Sequence, residues 1–168
     1  TFYLAYSCWH RGEFHRTIDH LRWVVANLQG PLLRERFGMA AYPAVLARGL
    51  LAWSLGDVGE FVEGRQVAED TIRLADMLDQ PFSQSVSRTW LGYFYVGQGD
   101  LSAAISVLEQ CRALVERWDL PRLGLFAASL LGVAHAMGGR LTESIPHLEQ
   151  AAAHLDPTQG GGAETRLL

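Results

Sequence analysis

Apolar and small residues recur along this chain at alternating three- and four-residue steps, and Gly-containing turns interrupt the pattern at a steady interval. Between Trp90 and Glu109, Leu91, Gly92 and Tyr95 fall on one helical face. Gly97, Gln98, Gly99 and Asp100 then leave the helical region cheaply, and Ser102 is expected to cap a second helix by accepting a backbone N–H. That helix carries Ala104, Ile105, Leu108, Cys111 and Leu114 or Val115 on its buried stripe. Two antiparallel helices result, with Gly92 and Ala104 as the small residues that let the axes approach. Neither helix hides its stripe from water alone.

The stretch returns forty residues later. Leu91, Gly92, Gly99, Leu101, Ile105, Leu108, Glu109 and Gln110 recur as Leu131, Gly132, Gly139, Leu141, Ile145, Leu148, Glu149 and Gln150, and a fixed offset of this size marks stacked helical units. The linkers repeat too, as Asp79-Gln80-Pro81 and Asp119-Leu120-Pro121. Four units follow, at about residues 1–31, 43–81, 82–121 and 122–157. The first turns at Gly12-Glu13-Phe14 and buries Ile18, Leu21, Val24 and Val25. The second opens at Pro43, carries Val45, Leu46, Leu51, Ala52 and Leu55, turns at Gly59-Glu60-Phe61 and resumes as a helix from Gly64 to Leu78. The fourth turns at Gly138-Gly139, with Thr142 as the expected cap and Pro146 near the start of its second helix, where a missing N–H costs little. Residues 32–42 are an insertion. Residues 158–168 read as a flexible Gly-rich break and the start of a truncated further unit. The chain opens in helical phase at Thr1, without an initiator methionine, a basic n-region or a cleavage site, as expected of a fragment cut from a longer protein inside a helix.

The order of a large residue, Leu-Gly, an aromatic, Gly-Asp, a small residue and a bulky apolar one resembles the tetratricopeptide repeat over nearly the whole chain, although the period here is longer than usual. The resemblance implies an all-α superhelical array of about four helix-turn-helix units. The segments Glu35–Gly38, Tyr42–Leu55 and Gly59–Gly64 are in turn similar to the helical-repeat tails of bacterial multidomain proteins that join a class III adenylate or guanylate cyclase domain to an AAA-type ATPase. Related repeats also follow the ATPase module in some transcription activators. This second resemblance implies a sensory or interaction segment of a cytoplasmic signalling protein, with any catalytic domains upstream of Thr1.

Composition narrows the possibilities further. At 168 residues and 49% apolar, the chain can bury a continuous core as one cooperative body. A net charge of −4 gives no electrostatic reason to expect nucleic acid or an anionic membrane. Cys8 and Cys111 stand alone on apolar stripes, and a reducing compartment is the simpler expectation. The longest apolar run, Gly124 to Met137, contains His135 and is too short for a membrane span.

Candidate chemistry is sparse. There is no P-loop and no Gly-rich loop between a strand and a helix, so no enzymatic activity and no cofactor are expected. His10, His15, His20, His135, His147 and His154 lack the i, i+3 or i+4 spacing of helical metal pairs. Glu143 and His147 are four apart, a spacing more often solvated than metal-binding. His135 takes the slot filled by Cys8, Leu55 and Tyr95 in the other units and is expected to be a hydrogen-bonded, partly buried residue.

Superposing the units on their turns brings Tyr6, Trp53, Tyr93 and Val133 to one place on each first helix. His10 and Asp57 lie one turn on, Arg48 and Arg88 five residues earlier, and Trp90 beside them. The tetratricopeptide resemblance makes this inner surface the expected grip for a partner protein or peptide segment with apolar anchors, as aromatics and Arg suit binding hot spots. The Lys and Asn clamp for a C-terminal carboxylate is not matched. Two alternatives stand beside this one: a small-molecule sensor enclosed by Trp53, Tyr93 and Trp90, and a structural spacer or dimerisation element. Uncapped apolar faces at both ends would also favour self-association.

Overall fold

The structure, a computed structural model, describes residues 1–153. His154, the Asp156-Pro157 linker, the Gly-rich break and Ala163 to Leu168 lie outside the described residues. Those described form eight α-helices and no strand: α1 (Phe2–His10), α2 (Phe14–Asn27), α3 (Pro43–Asp57), α4 (Phe61–Leu78), α5 (Pro81–Gln98), α6 (Leu101–Trp118), α7 (Pro121–Met137) and α8 (Leu141–Ala153). A 3₁₀ turn, Gly30–Arg34, occupies the start of the insertion between α2 and α3. Among the described residues, no helix is long and apolar enough to cross a membrane.

The turn inside each helical hairpin is built the same way four times. Gly12, Gly59, Gly99 and Gly139 take φ between 74° and 86°, a left-handed conformation that costs glycine no Cβ clash. The next N–H then reaches back five residues, from Glu13 to the Cys8 carbonyl (3.0 Å), Glu60 to Leu55 (2.8 Å), Asp100 to Tyr95 (3.0 Å) and Arg140 to His135 (2.9 Å). These bonds satisfy carbonyls that the ending helix leaves without partners. The same four residues accept the N–H of Thr17, Gly64, Ala104 and Ser144 and so open the next helix.

Some local expectations are revised. Asp100, not Ser102, caps α6, because its carboxylate sits one residue before the helix and accepts the Ala103 N–H at 3.3 Å. Gly97 lies inside α5, and Thr142 inside α8, past the capping position. α4 begins at Phe61, three residues before Gly64. Pro146 is the sixth residue of α8, beyond the first turn, so its missing N–H removes one intrahelical bond.

Small side chains set how closely each hairpin closes. A Cβ on Gly132 would lie 2.6 Å from Leu148 Cδ2, and Leu108 fills the corresponding space at Gly92. Thr17 Oγ1 donates to the Ala5 carbonyl at 3.4 Å, and Ser144 Oγ to the Gly132 carbonyl at 2.7 Å, at matching positions in the first and last hairpins.

Between hairpins, Asp79 and Asp119 end α4 and α6 in the left-handed region, which Asp tolerates better than most residues. Pro81 and Pro121 then start α5 and α7, where no N–H is needed. Every helix packs on its neighbours in sequence. In addition α3 packs on α5 and α5 on α7, with a lighter contact between α1 and α3, while the even-numbered helices make no comparable contact with one another. The odd-numbered helices therefore form one layer and the even-numbered the other. The apolar core lies between them, with Leu21, Leu55, Leu108 and Leu131 fully buried and both cysteines buried and free.

His135 departs from expectation in its bonding. It is buried, with 7% of its surface exposed, but Nδ1 has no hydrogen-bond partner, and the ring lies parallel to His147 at 5.7 Å. Arg140, Glu143, His147 and Glu109 are the charged or titratable groups that act on it. Burial, then the positive field of Arg140, lowers its pKa.

Two predictions follow from the packing. Leu108→Ala should lower unfolding free energy by about 2–5 kcal/mol, as buried leucine truncations do. Leu148, its counterpart in the last hairpin, is 39% exposed, so Leu148→Ala should move the urea midpoint much less. The third concerns pH. With the folded pKa of His135 below the unfolded value of about 6.5, the unfolded state binds more protons in that window, and stability falls as pH drops from about 6.5 through the folded pKa. His135→Gln should remove this component, seen as a smaller difference between urea midpoints at pH 7.5 and pH 5.5 than in the parent chain.

Candidate functional site

Aromatic side chains from all four odd-numbered helices converge on the face of that layer turned away from the even-numbered helices. Trp53 of α3 is the centre. Its ring lies 3.9 Å from Tyr93 of α5, 5.0 Å from Trp9 of α1, 6.4 Å from Trp90 of α5 and 6.5 Å from Phe126 of α7, measured between centroids. The Phe126 contact joins helices two hairpins apart above α5. Tyr6 continues the cluster by stacking on Trp9 at 6.0 Å. Trp90 can lie flat because position 49 on α3 is glycine, where any Cβ would collide with the indole ring.

These rings border a cavity of about 720 Å³. Tyr6, Trp9, Trp53, Trp90 and Phe126 supply most of the wall, with Leu46, Leu50 and Val86 at the base. Met39, Ala40 and Ala41 of the insertion close one side. That loop is held in place by the Tyr42 N–H donating to Ser83 Oγ (3.0 Å) and Gln80 Nε2 donating to the Ala40 carbonyl (3.2 Å). Among the described residues of the wall, Arg122 is the charged one.

Of the eight residues singled out in the sequence, Tyr6, Trp53 and Trp90 line the cavity. Tyr93 supports it from behind Trp53, and His10 packs edge-on against Tyr6 (4.5 Å) and Trp9 (4.9 Å). Asp57 sits beside this group, at the end of α3. Partial burial raises its pKa although the residue keeps contact with solvent, and the Trp9 indole N–H draws it back without completing a hydrogen bond of good geometry. The Tyr6 and Tyr93 hydroxyls are also pushed up by burial, Tyr93 further by Asp57.

Arg48 and Arg88 are engaged elsewhere. Arg88 makes a two-pronged ion pair with Asp76 of α4, both distances 2.9 Å, with its side chain only 12% exposed. Arg48 donates to the Ala44 carbonyl at 2.9 Å. Burial lowers its pKa, and the field of Asp70 on α4 opposes that shift.

Sequence inspection passed over Trp9, Phe126 and the insertion. Trp9 lies three residues after Tyr6, and Phe126 seven before Val133, so both share a helical face with the residues already aligned. That signal was present. The insertion has no periodicity to exploit, and its approach to the cavity depends on the bonds to α5.

Among the described residues, no group of three or more His, Cys, Asp and Glu side chains could hold a metal. A second, smaller cavity near His15, Asp19, Glu60 and Glu63 is polar and contains Arg22, which pairs with Glu63 at 2.8 Å. A scan against protein-family models, a search of curated proteins and a search of solved structures each return no match to the chain.

Proposed function

We propose that the chain is an array of about four tetratricopeptide-like units serving as an interaction or regulatory segment of a larger bacterial signalling protein, and that it binds a partner segment on the face of the odd-numbered helices. The observation that carries this is the convergence of Tyr6, Trp9, Trp53, Trp90 and Phe126 from four separate helices on one open cavity. Four turns with the same left-handed glycine and the same back-bonded N–H support the repeat assignment. The kinship with cyclase and ATPase tails rests on the sequence segments from Glu35 to Gly64 alone. The segment itself performs no catalysis in this proposal.

Aromatic side chains suit this task because each buries a large area at the cost of few rotatable bonds. A partner segment would place an apolar anchor against Trp53 and Phe126 and continue past His10 and Asp57 at the end of α1 and α3. A small-molecule effector is the second reading, favoured by the cavity volume, which falls within the range of about 300–1,000 Å³ usual for small-ligand sites.

The test is a selection of random linear peptides on the parent chain. It should yield a consensus with apolar anchors, whose Kd rises by about 2 kcal/mol, roughly thirty-fold, in Phe126→Ala. The Phe126 ring is part-exposed, so the melting temperature of that variant should stay close to the parent value. Trp53→Ala should weaken both binding and stability, because the ring also packs against four others. A selection that yields no peptide, or one indifferent to both substitutions, refutes the partner-segment proposal.

A further inference from the structure

We propose that the aromatic cavity takes a planar aromatic molecule, whose fused rings lie parallel to Trp53 and Phe126 and meet Trp9 and Trp90 edge-on. This rests on the small-molecule reading of the same face and assigns the shape and chemistry of its effector.

Ring orientation carries the proposal. Tyr93 lies against Trp53 at 3.9 Å and is not part of the wall, whereas Trp53 is, so the ring surface that Trp53 turns to the cavity is the one Tyr93 leaves uncovered. Phe126, which also lines the cavity, is parallel to Trp53 within 16°, with the centroids 6.5 Å apart. Carbon atoms in contact sit about 3.5–4.0 Å apart, so two parallel rings at this spacing are not in full face-to-face contact. A flat guest in the same orientation can lie against both. Trp9 and Trp90 stand at 75° and 71° to Trp53, so such a guest meets them at the steep angle of the edge-to-face arrangement that aromatic quadrupoles favour.

Other parts of the wall act in the same direction. Leu46, Leu50 and Val86 at the base suit an apolar body, because burying it there removes apolar surface from water. Met39, from the insertion, brings a thioether whose polarizable sulfur favours the edges of aromatic rings. The three tryptophans are half-buried and Phe126 is 36% exposed, so packing fixes their orientation while ring surface stays open to a guest. A saturated ring system on the same skeleton fills a similar volume, but it is puckered and has no quadrupole, so it gains only the burial of its surface.

The test uses the full 168-residue chain and two neutral probes of one carbon skeleton, 2-naphthol and trans-decahydro-2-naphthol. Calorimetry gives the Kd of each, and NMR of the bound probe reads the upfield ring-current shift of protons held over aromatic faces. 2-Naphthol should bind at least about ten-fold more tightly than its saturated counterpart, the scale of one or two ring contacts, with its protons shifted upfield. Phe126→Leu, which keeps an apolar side chain but removes the ring, should cut that preference by about three-fold or more, and Phe126→Tyr should retain it. The melting temperature should stay close to the parent value in both. Equal or tighter binding of the saturated probe by the parent chain overturns the proposal, as does a preference unchanged in Phe126→Leu or a bound 2-naphthol without upfield shifts. Failure of both probes to bind also overturns it and leaves the partner-segment proposal standing, because that one is measured with selected peptides. A failed peptide selection alongside the expected preference for 2-naphthol has the opposite meaning.

Discussion

Leu108 occupies the space that a side chain on Gly92 would need, and Leu148 does the same at Gly132. The rest of the molecule depends on this close fit, because the helices are short and their stripes narrow. An isolated helix of 9 to 18 residues gains little from its own hydrogen bonds and is held by the apolar face it buries. When the two helices of a hairpin approach over a glycine or alanine, leucine methyl groups reach the backbone of the opposite helix and water is excluded from both stripes. The left-handed glycine of each turn makes the reversal short enough for that approach to begin at the first turn. The next hairpin then covers what remains exposed, and Leu148 shows the consequence where less covers it.

The same constraint acts between hairpins and produces the cavity. Gly49 lets the Trp90 indole lie flat against α3, and this draws α5 close enough for Trp53 and Tyr93 to meet at 3.9 Å. Contacts between aromatic rings contribute roughly 0.5–1.5 kcal/mol each beyond their buried area, so the cluster around Trp53 stabilises the layer of odd-numbered helices. It also leaves ring faces lining open space, because Phe126 reaches Trp53 across α5 without filling the gap between them. Packing and recognition therefore share the same residues, and truncating Trp53 affects both. Phe126, at the edge of the cluster, separates them.

Charge is distributed along this face in an order that no local pattern announces. Arg88 and Arg48 fall near the aromatic positions when the units are aligned by number, yet Arg88 turns to Asp76 on α4 and Arg48 donates to the Ala44 carbonyl of its own helix. The reason is energetic. A guanidinium that is largely buried needs a carboxylate or carbonyls close by, and Asp76 supplies a two-pronged partner at 2.9 Å. Arg122, at the start of α7, lines the cavity.

The helices, their pairing and most of the turns are legible in the residues alone. A period of forty, apolar spacing of three and four, and glycines at fixed intervals are local signals that each helix reads from its own residues. Tyr6, Trp53 and Trp90 were legible for the same reason, since one alignment on the turns put them on one face. Everything that depends on distance between hairpins came from packing. Ser102 was the expected cap, but the helix starts at Leu101, which puts the Asp100 carboxylate in the capping position. His135 matched Tyr95 by position, but its ring nitrogen found no partner where the neighbouring helix offered a second histidine. The insertion carries no periodicity, so its place at the cavity follows from bonds to Ser83 and Gln80, forty-one and forty residues away. Trp9 and Phe126 belong to helices separated by more than a hundred residues, and only the packing of the odd-numbered helices brings both against Trp53.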